Sequence, residues 1–233
     1  MSDSSPPVSA AAPDGRTVPV WDFPTRLFHW TLAALVLLNV VSGKVGGNTL
    51  MEYHMLSGYA ILALIVFRVM WGFVGGRHAR FQSFVRGPGA VVRYFRDAVR
   101  GGAKWLGHNP AGGWSVLLML ALLAVQAGTG LFANDDILVE GPLMKLVSKS
   151  TSNTLTWVHY LGSNALIAVV VVHVAVVAFH RIKGEDLIGA MFTGRKAGVA
   201  DAPSSVPVSV GPLRAAVAAA IAVGAVWALL NLI

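Results

Sequence analysis

Residues Leu155–Phe179, LTWVHYLGSNALIAVVVVHVAVVAF, decide how the rest of the chain is read. These 25 residues hold no Asp, Glu, Lys or Arg. At about 1.5 Å per residue they exceed the roughly 20 residues needed to cross about 30 Å of hydrocarbon. Only His159 and His173 can carry charge inside the stretch. Fourteen residues apart, they are separated by about 21 Å of rise and about 1400° of rotation, some 40° short of four turns. Both imidazoles therefore point the same way at two depths. Ionisable groups inside a span are costly, so a pair on one line marks a functional face.

Working outward, four further apolar stretches reach spanning length: about Leu27–Gly46, opened by the helix-compatible Pro24; Tyr53–Val74; Trp114–Phe132; and Leu213 to the C-terminus. Across all 233 residues the hydrophobic share is 55% and the charged share 12%. That charged share is about half the globular norm of roughly 25%, and with a mean hydropathy of +0.64 it excludes a disordered chain or an ordinary soluble enzyme. The expected fold is an all-α membrane protein: a four-helix transmembrane bundle over residues 24–197, a linker over 198–212 and a fifth transmembrane helix over 213–233. Residues 1–23, rich in Pro and Ser and lacking the apolar core of an export signal, are expected to form a flexible cytoplasmic tail.

Charge in the connections sets the expected orientation. The loop between spans two and three carries Arg77, Arg80, Arg86, Arg93, Arg96, Arg100 and Lys104 against Asp97 alone, and Arg181, Lys183, Arg195 and Lys196 follow span four. The other two loops hold Lys44 with Glu52, and Asp135, Asp136 and Glu140 beside Lys145 and Lys149. This places the N-terminus on the cytoplasmic side of the membrane and the C-terminus on the outer side. The net charge of +7 then faces anionic lipid headgroups and no nucleic acid is needed to explain it. In AVVRYFRDAVR, Val91, Val92, Phe95 and Val99 alternate with Arg93, Arg96 and Arg100, a pattern for a short helix on the inner membrane surface.

The chain has no cysteine, which removes disulfides, thiolate zinc sites, cysteine-bound iron–sulfur clusters and covalent c-type haem. Its seven histidines are not scattered. His54 opens span two near the outer face and matches His159 in depth; His29, one turn into span one, matches His173 nearer the inner face. Two opposed imidazoles from different helices at two levels are what two bis-histidine haems require. Zinc would need a third or fourth ligand at each level. Gly58 and Gly162, three or four residues beyond their histidines, leave room for a flat macrocycle. Gly128 and Gly130 in span three serve the same end or simple helix packing. Arg68, fourteen residues after His54, pairs with a haem propionate or snorkels to the headgroups. His180 is expected at the surface, and His78 and His108 at solvated positions. Trp21, Trp30, Trp71, Trp114 and Trp157 near the span ends read as an interfacial belt.

RLFHW (26–30), HMLSG (54–58), FRVMWGFVG (67–75), LGHNPAGGW (106–114) and the His159/His173 interval resemble the bacterial cytochrome b561 family, which includes the membrane cytochrome b subunits of nickel–iron hydrogenases. The resemblance covers about residues 21–197. It implies two haem b groups held by His29, His54, His159 and His173, and electron transfer between the quinone pool and a redox partner, either a c-type cytochrome or a hydrogenase-like subunit. The fifth span departs from the family's four-helix core and is expected to dock a partner or a second copy, as in a homodimer. Two other functions remain open: a self-contained quinone-coupled oxidoreductase acting on superoxide, and a haem-free anchor or transporter subunit. The first would need a cationic funnel at the outer level, where Lys44, Lys145 and Lys149 are outnumbered by carboxylates.

Overall fold

Asp22 starts the first helix. Its carboxylate accepts a hydrogen bond from the Thr25 backbone N–H at 3.0 Å, and Pro24 supplies a preset φ in the first turn of α1, Phe23–Val45. Gly46 and Gly47 then adopt φ of 74° and 87°, which side-chain-bearing residues avoid, and reverse the chain within two residues into α2, Asn48–Val74. Asn109 caps α5, Pro110–Gly130, by accepting from Gly112 N at 2.7 Å, and Ser148 caps α6, Lys149–Ile182. This computed structural model describes residues 17–98, 105–197 and 206–231. Short helices α3, Phe81–Phe84, and α4, Pro88–Ala98, fill the basic loop; α7, Leu187–Thr193, follows α6; and α8, Pro212–Asn231, is the fifth span.

Among the described residues, five helices are long and apolar enough to cross a membrane. Helix α1 packs on α2, α5 on α6, and α2 on α5, giving two antiparallel hairpins side by side. Outward-facing positions such as Val171, Val172 and Val174 are about 60% exposed and apolar, as a lipid-facing surface requires. The centre of the bundle is a layer of Ile61, Ile65, Leu123 and Leu166, closed by Leu35 and Val170, so all four core spans contribute to it.

Several expectations change. Thr17–Asp22, expected in the tail, are held: β1, Thr17–Pro19, pairs antiparallel with β2, Arg195–Ala197, and Val20 is fully buried. Asp22 also accepts from Trp71 Nε1 at 3.1 Å and Gly76 N at 3.2 Å. Trp71 is accordingly 0% exposed and not part of an interfacial belt, because its indole N–H has found a carboxylate inside the fold. Trp21 likewise turns inward against His108. The fifth span docks on its own chain: Ala218 and Ala222 of α8 pack against Phe67 and Trp71 of α2, and Arg77 N donates to Pro207 O. The surface-helix expectation over residues 90–100 corresponds to α4, whose Val92 and Phe95 stay 58% exposed; Val99, Arg100 and Lys104 lie outside the described residues, as do 1–16 and 198–205.

β1 and β2 meet although four spans separate them, so the chain crosses the bundle an even number of times between them. Lys196 Nζ donates to Trp105 O at 2.7 Å, which brings the long basic loop to the same end. That end gathers Arg77, Arg80, Arg86, Arg93, Arg96, Arg181, Lys183, Arg195 and Lys196 and is called the basic end.

Candidate functional site: two histidine levels in the bundle

At the end opposite the basic one, the rings of His54 and His159 lie 5.9 Å apart centre to centre with planes 85° from one another. The helices hold both rings in the same manner. His54 Nδ1 is 2.9 Å from the backbone oxygen of Asn39 on α1, and Asn39 Nδ2 donates to the backbone oxygen of His54 at 2.8 Å. His159 Nδ1 is 2.9 Å from the backbone oxygen of Gln126 on α5, and Gln126 Nε2 donates to the backbone oxygen of His159 at 2.9 Å. A carbonyl oxygen only accepts, so each Nδ1 carries the proton and each Nε2 keeps its lone pair. Both rings border one cavity of about 670 Å³, which Gly43, Gly58, Gly130 and Lys44 also line.

The residues fit a haem here. Two imidazoles holding one first-row metal ion, with bonds of about 2 Å and about 1 Å more to each ring centre, would have their centres roughly 6 Å apart, and the observed separation is 5.9 Å. The rings lie close to helix backbones: a Cβ at Gly43 would stand 2.7 Å from His54 Cε1, and one at Gly130 would stand 2.9 Å from His159 Cε1. Gly130 thus makes room for the His159 ring, whereas Gly128 faces open space. Gly58 borders the cavity, while a Cβ on Gly162 would meet Gln126 Oε1 at 2.6 Å, so Gly162 admits Gln126 and does not line the cavity itself.

At the basic end, His29 and His173 come within electrostatic reach of one another without a ring contact. His29 stands edge-on to Trp30 at 5.0 Å, and its Nδ1 is buried without a hydrogen-bond partner. Arg68 is 3% exposed, lies over the rings of Phe81 and Phe84 at 5.1 and 5.8 Å, and leaves Nη1 buried and unpartnered. It does not snorkel to the headgroups. Nitrogen donors in this state suit an anionic group supplied from outside the chain, such as a carboxylate.

His108 departs from its expected solvated position. Its ring lies 4.7 Å from Trp21 and 4.8 Å from Phe84, and its Nδ1 is buried without a partner. Burial, then the Arg68 and His78 charges, push the imidazole down to about 3. His78 sits edge-on to Trp21 at 6.4 Å, so it too lies against the fold. His180 Nδ1 is 3.6 Å from Glu185 at the basic end. Asn39, Gln126 and Gly43 were not singled out by the sequence reading; their shared signal was a polar residue four places before a glycine, Asn39/Gly43 and Gln126/Gly130, in spans one and three.

The sequence profile of the prokaryotic cytochrome b561 family matches residues 20–194. A protein of Azotobacter vinelandii described as a probable Ni/Fe-hydrogenase B-type cytochrome subunit is 30% identical, over 66% of this chain and 78% of that one. Proteins of the same description from Bradyrhizobium diazoefficiens and Rhizobium leguminosarum are 25% and 28% identical, over 84% and 78% of this chain and 95% and 89% of theirs. Family profile, five apolar helices and the opposed histidines agree: the chain belongs to the prokaryotic cytochrome b561 family, as a haem-binding b-type cytochrome of membrane electron transport.

Proposed function

We propose that the chain is a di-haem cytochrome b that carries electrons between the quinone pool and a redox partner, with His54 and His159 holding one haem and His29 and His173 the other. The observation that carries this reading is the opposed His54/His159 pair, with both Nδ1 atoms bonded to backbone carbonyls and the two ring centres 5.9 Å apart. Haem, when bound, supplies reversible one-electron chemistry at iron.

The chain's own residues do the rest. Asn39 and Gln126 carbonyls hold the proton on Nδ1, and Arg68 offers Nη1 to a propionate at the basic end. Ile61, Ile65, Leu123 and Leu166 exclude water between the two levels. Charge moving between levels crosses part of the bilayer, so the reaction responds to membrane potential. The basic end lies on the cytoplasmic side of a bacterial inner membrane and α8 ends on the periplasmic side, as the arginine distribution favours. The relatives' description supports a hydrogenase-like partner over a c-type cytochrome. A superoxide funnel is less well supported, since Lys44 is occupied by Ser163 and Asn164 and Lys149 by Asp136 and Asn134.

Haem quantification with a reduced-minus-oxidised spectrum of the purified chain tests the reading. Two haems per chain with low-spin b-type bands are expected; fewer than about two would refute the pairing, and a colourless protein from haem-replete cells would refute the function.

A further inference from the structure

We infer that Asn39 and Gln126 are paired positioning residues that set the ring planes of His54 and His159, and through them the redox potential of the haem at that level. This inference rests on the di-haem reading above.

Each residue grips its histidine at two points. The side-chain amide donates to the histidine's backbone oxygen, at 2.8 Å from Asn39 and 2.9 Å from Gln126, while the residue's own backbone oxygen takes the Nδ1 proton at 2.9 Å in both cases. The first bond fixes where the histidine backbone stands relative to the neighbouring helix, and the second fixes how its ring is turned. Four residues on, Gly43 and Gly130 let the ring lie on the helix itself, where a Cβ would press on it at 2.7 and 2.9 Å. The same three-part device thus occurs twice, once in the α1–α2 hairpin and once in α5–α6.

Holding the helices together does not require this arrangement. A polar side chain inside a span needs a partner on a neighbouring helix, but any backbone oxygen of α2 or α6 would satisfy it. Here the contacts fall on the histidine in both hairpins, with Asn39 also donating to Ser57 at 3.0 Å and Thr129 lying 3.3 Å from His159 Nδ1. The two rings are left nearly perpendicular, at 85°. Were both imidazoles bound to one ferric iron, their relative rotation would be read in its EPR spectrum. The Nδ1–H···O=C bond raises imidazole basicity and so favours ferric iron.

The test uses the full-length, haem-loaded protein, with His159→Ala identifying the signals of the remaining haem. Asn39→Leu and Gln126→Leu remove the donating amides at similar size. Gly43→Ala and Gly130→Ala instead push the rings, and they decide the matter if the leucine variants do not assemble. The expected result is an unchanged haem count, an altered low-spin EPR g value, and roughly a tenfold change in the reduction equilibrium, about 59 mV for one electron, confined to the haem that His159→Ala removes. Unmoved EPR and potentials in all variants that assemble, or a shift confined to the other haem, would overturn the inference. A wild-type protein with fewer than two haems would overturn the di-haem reading and this inference with it, whereas two haems with unmoved signals would sink this inference alone.

Discussion

The two histidine levels are built on opposite plans. At the far level both histidine Nδ1 atoms have carbonyl partners and the rings already face each other at 5.9 Å, although Gln126 Oε1 is buried there without a partner. At the basic end, His29 Nδ1, His108 Nδ1 and Arg68 Nη1 are all buried without partners. Buried unpaired donors each cost about 1–3 kcal/mol, more when charged, so the basic end is the level that gains most from a bound anionic group. One level holds its histidine rings with the chain's own carbonyls, and the other leaves buried nitrogens open to a group from outside the chain.

The most severe way to test this contrast is to remove one ligand at each level. His159→Ala is expected to lower the haem content from about two to about one per chain and leave the other haem's spectrum unchanged, and His29→Ala to do the converse. Pyridine haemochrome measurements read both. Next in size is Arg68→Met. Removing one partner of a buried charge pair costs about 3–5 kcal/mol, so the basic-end haem should be retained over a hundredfold less tightly while the His54/His159 haem is unaffected. The same substitution should raise the melting temperature of the haem-free protein, because it deletes a desolvated guanidinium whose Nη1 has no hydrogen-bond partner there, against the loss of its contacts with the Phe81 and Phe84 rings. Equal loss at both levels would erase the distinction.

Asp22→Ala follows. It takes an acceptor from Thr25 N, Trp71 Nε1 and Gly76 N together, so a loss of about 2–3 kcal/mol is expected, read as a lower unfolding midpoint. His108→Phe should have a smaller effect that depends on pH. The folded imidazole sits near 3 and the unfolded one near 6.5, so below pH 6.5 the unfolded chain binds a proton that the native one refuses. Stability therefore falls as pH drops, by up to about 1.4 kcal/mol per unit, and is fully present above pH 6.5. Thermal unfolding between pH 7 and 5 should slope less in His108→Phe than in the wild type. The smallest effect belongs to Arg181→Gln, which breaks a 3.5 Å pair with Asp186 whose side chains are 62% and 54% exposed; the midpoint should move by less than about 0.5 kcal/mol.

Much of the far level was legible beforehand, because span length, depth and the fourteen-residue interval depend only on helix geometry, and they brought His54 to His159. The grip on those rings was hidden. Half of what Asn39 and Gln126 do runs through backbone oxygens, which every residue has, so their type alone does not show which histidine they hold. His108 was misplaced because loop residues default to solvent, and only the approach of Trp21 and Phe84 from distant segments buries it. Arg68 was legible as a costly charge, but its escape to the headgroups could be dismissed only once Phe81 and Phe84 were seen packed over it.

The ribbon of Thr17–Pro19 with Arg195–Ala197 also bears on biogenesis. Its halves are 178 positions apart, as the Arg195 to Thr17 hydrogen bonds record, so the first strand emerges from the ribosome long before its mate exists. It can zip shut only after the fourth crossing has been threaded into the bilayer in the right direction. A nascent chain that skipped or inverted one crossing would leave the two strands on opposite sides of the membrane, unable to pair.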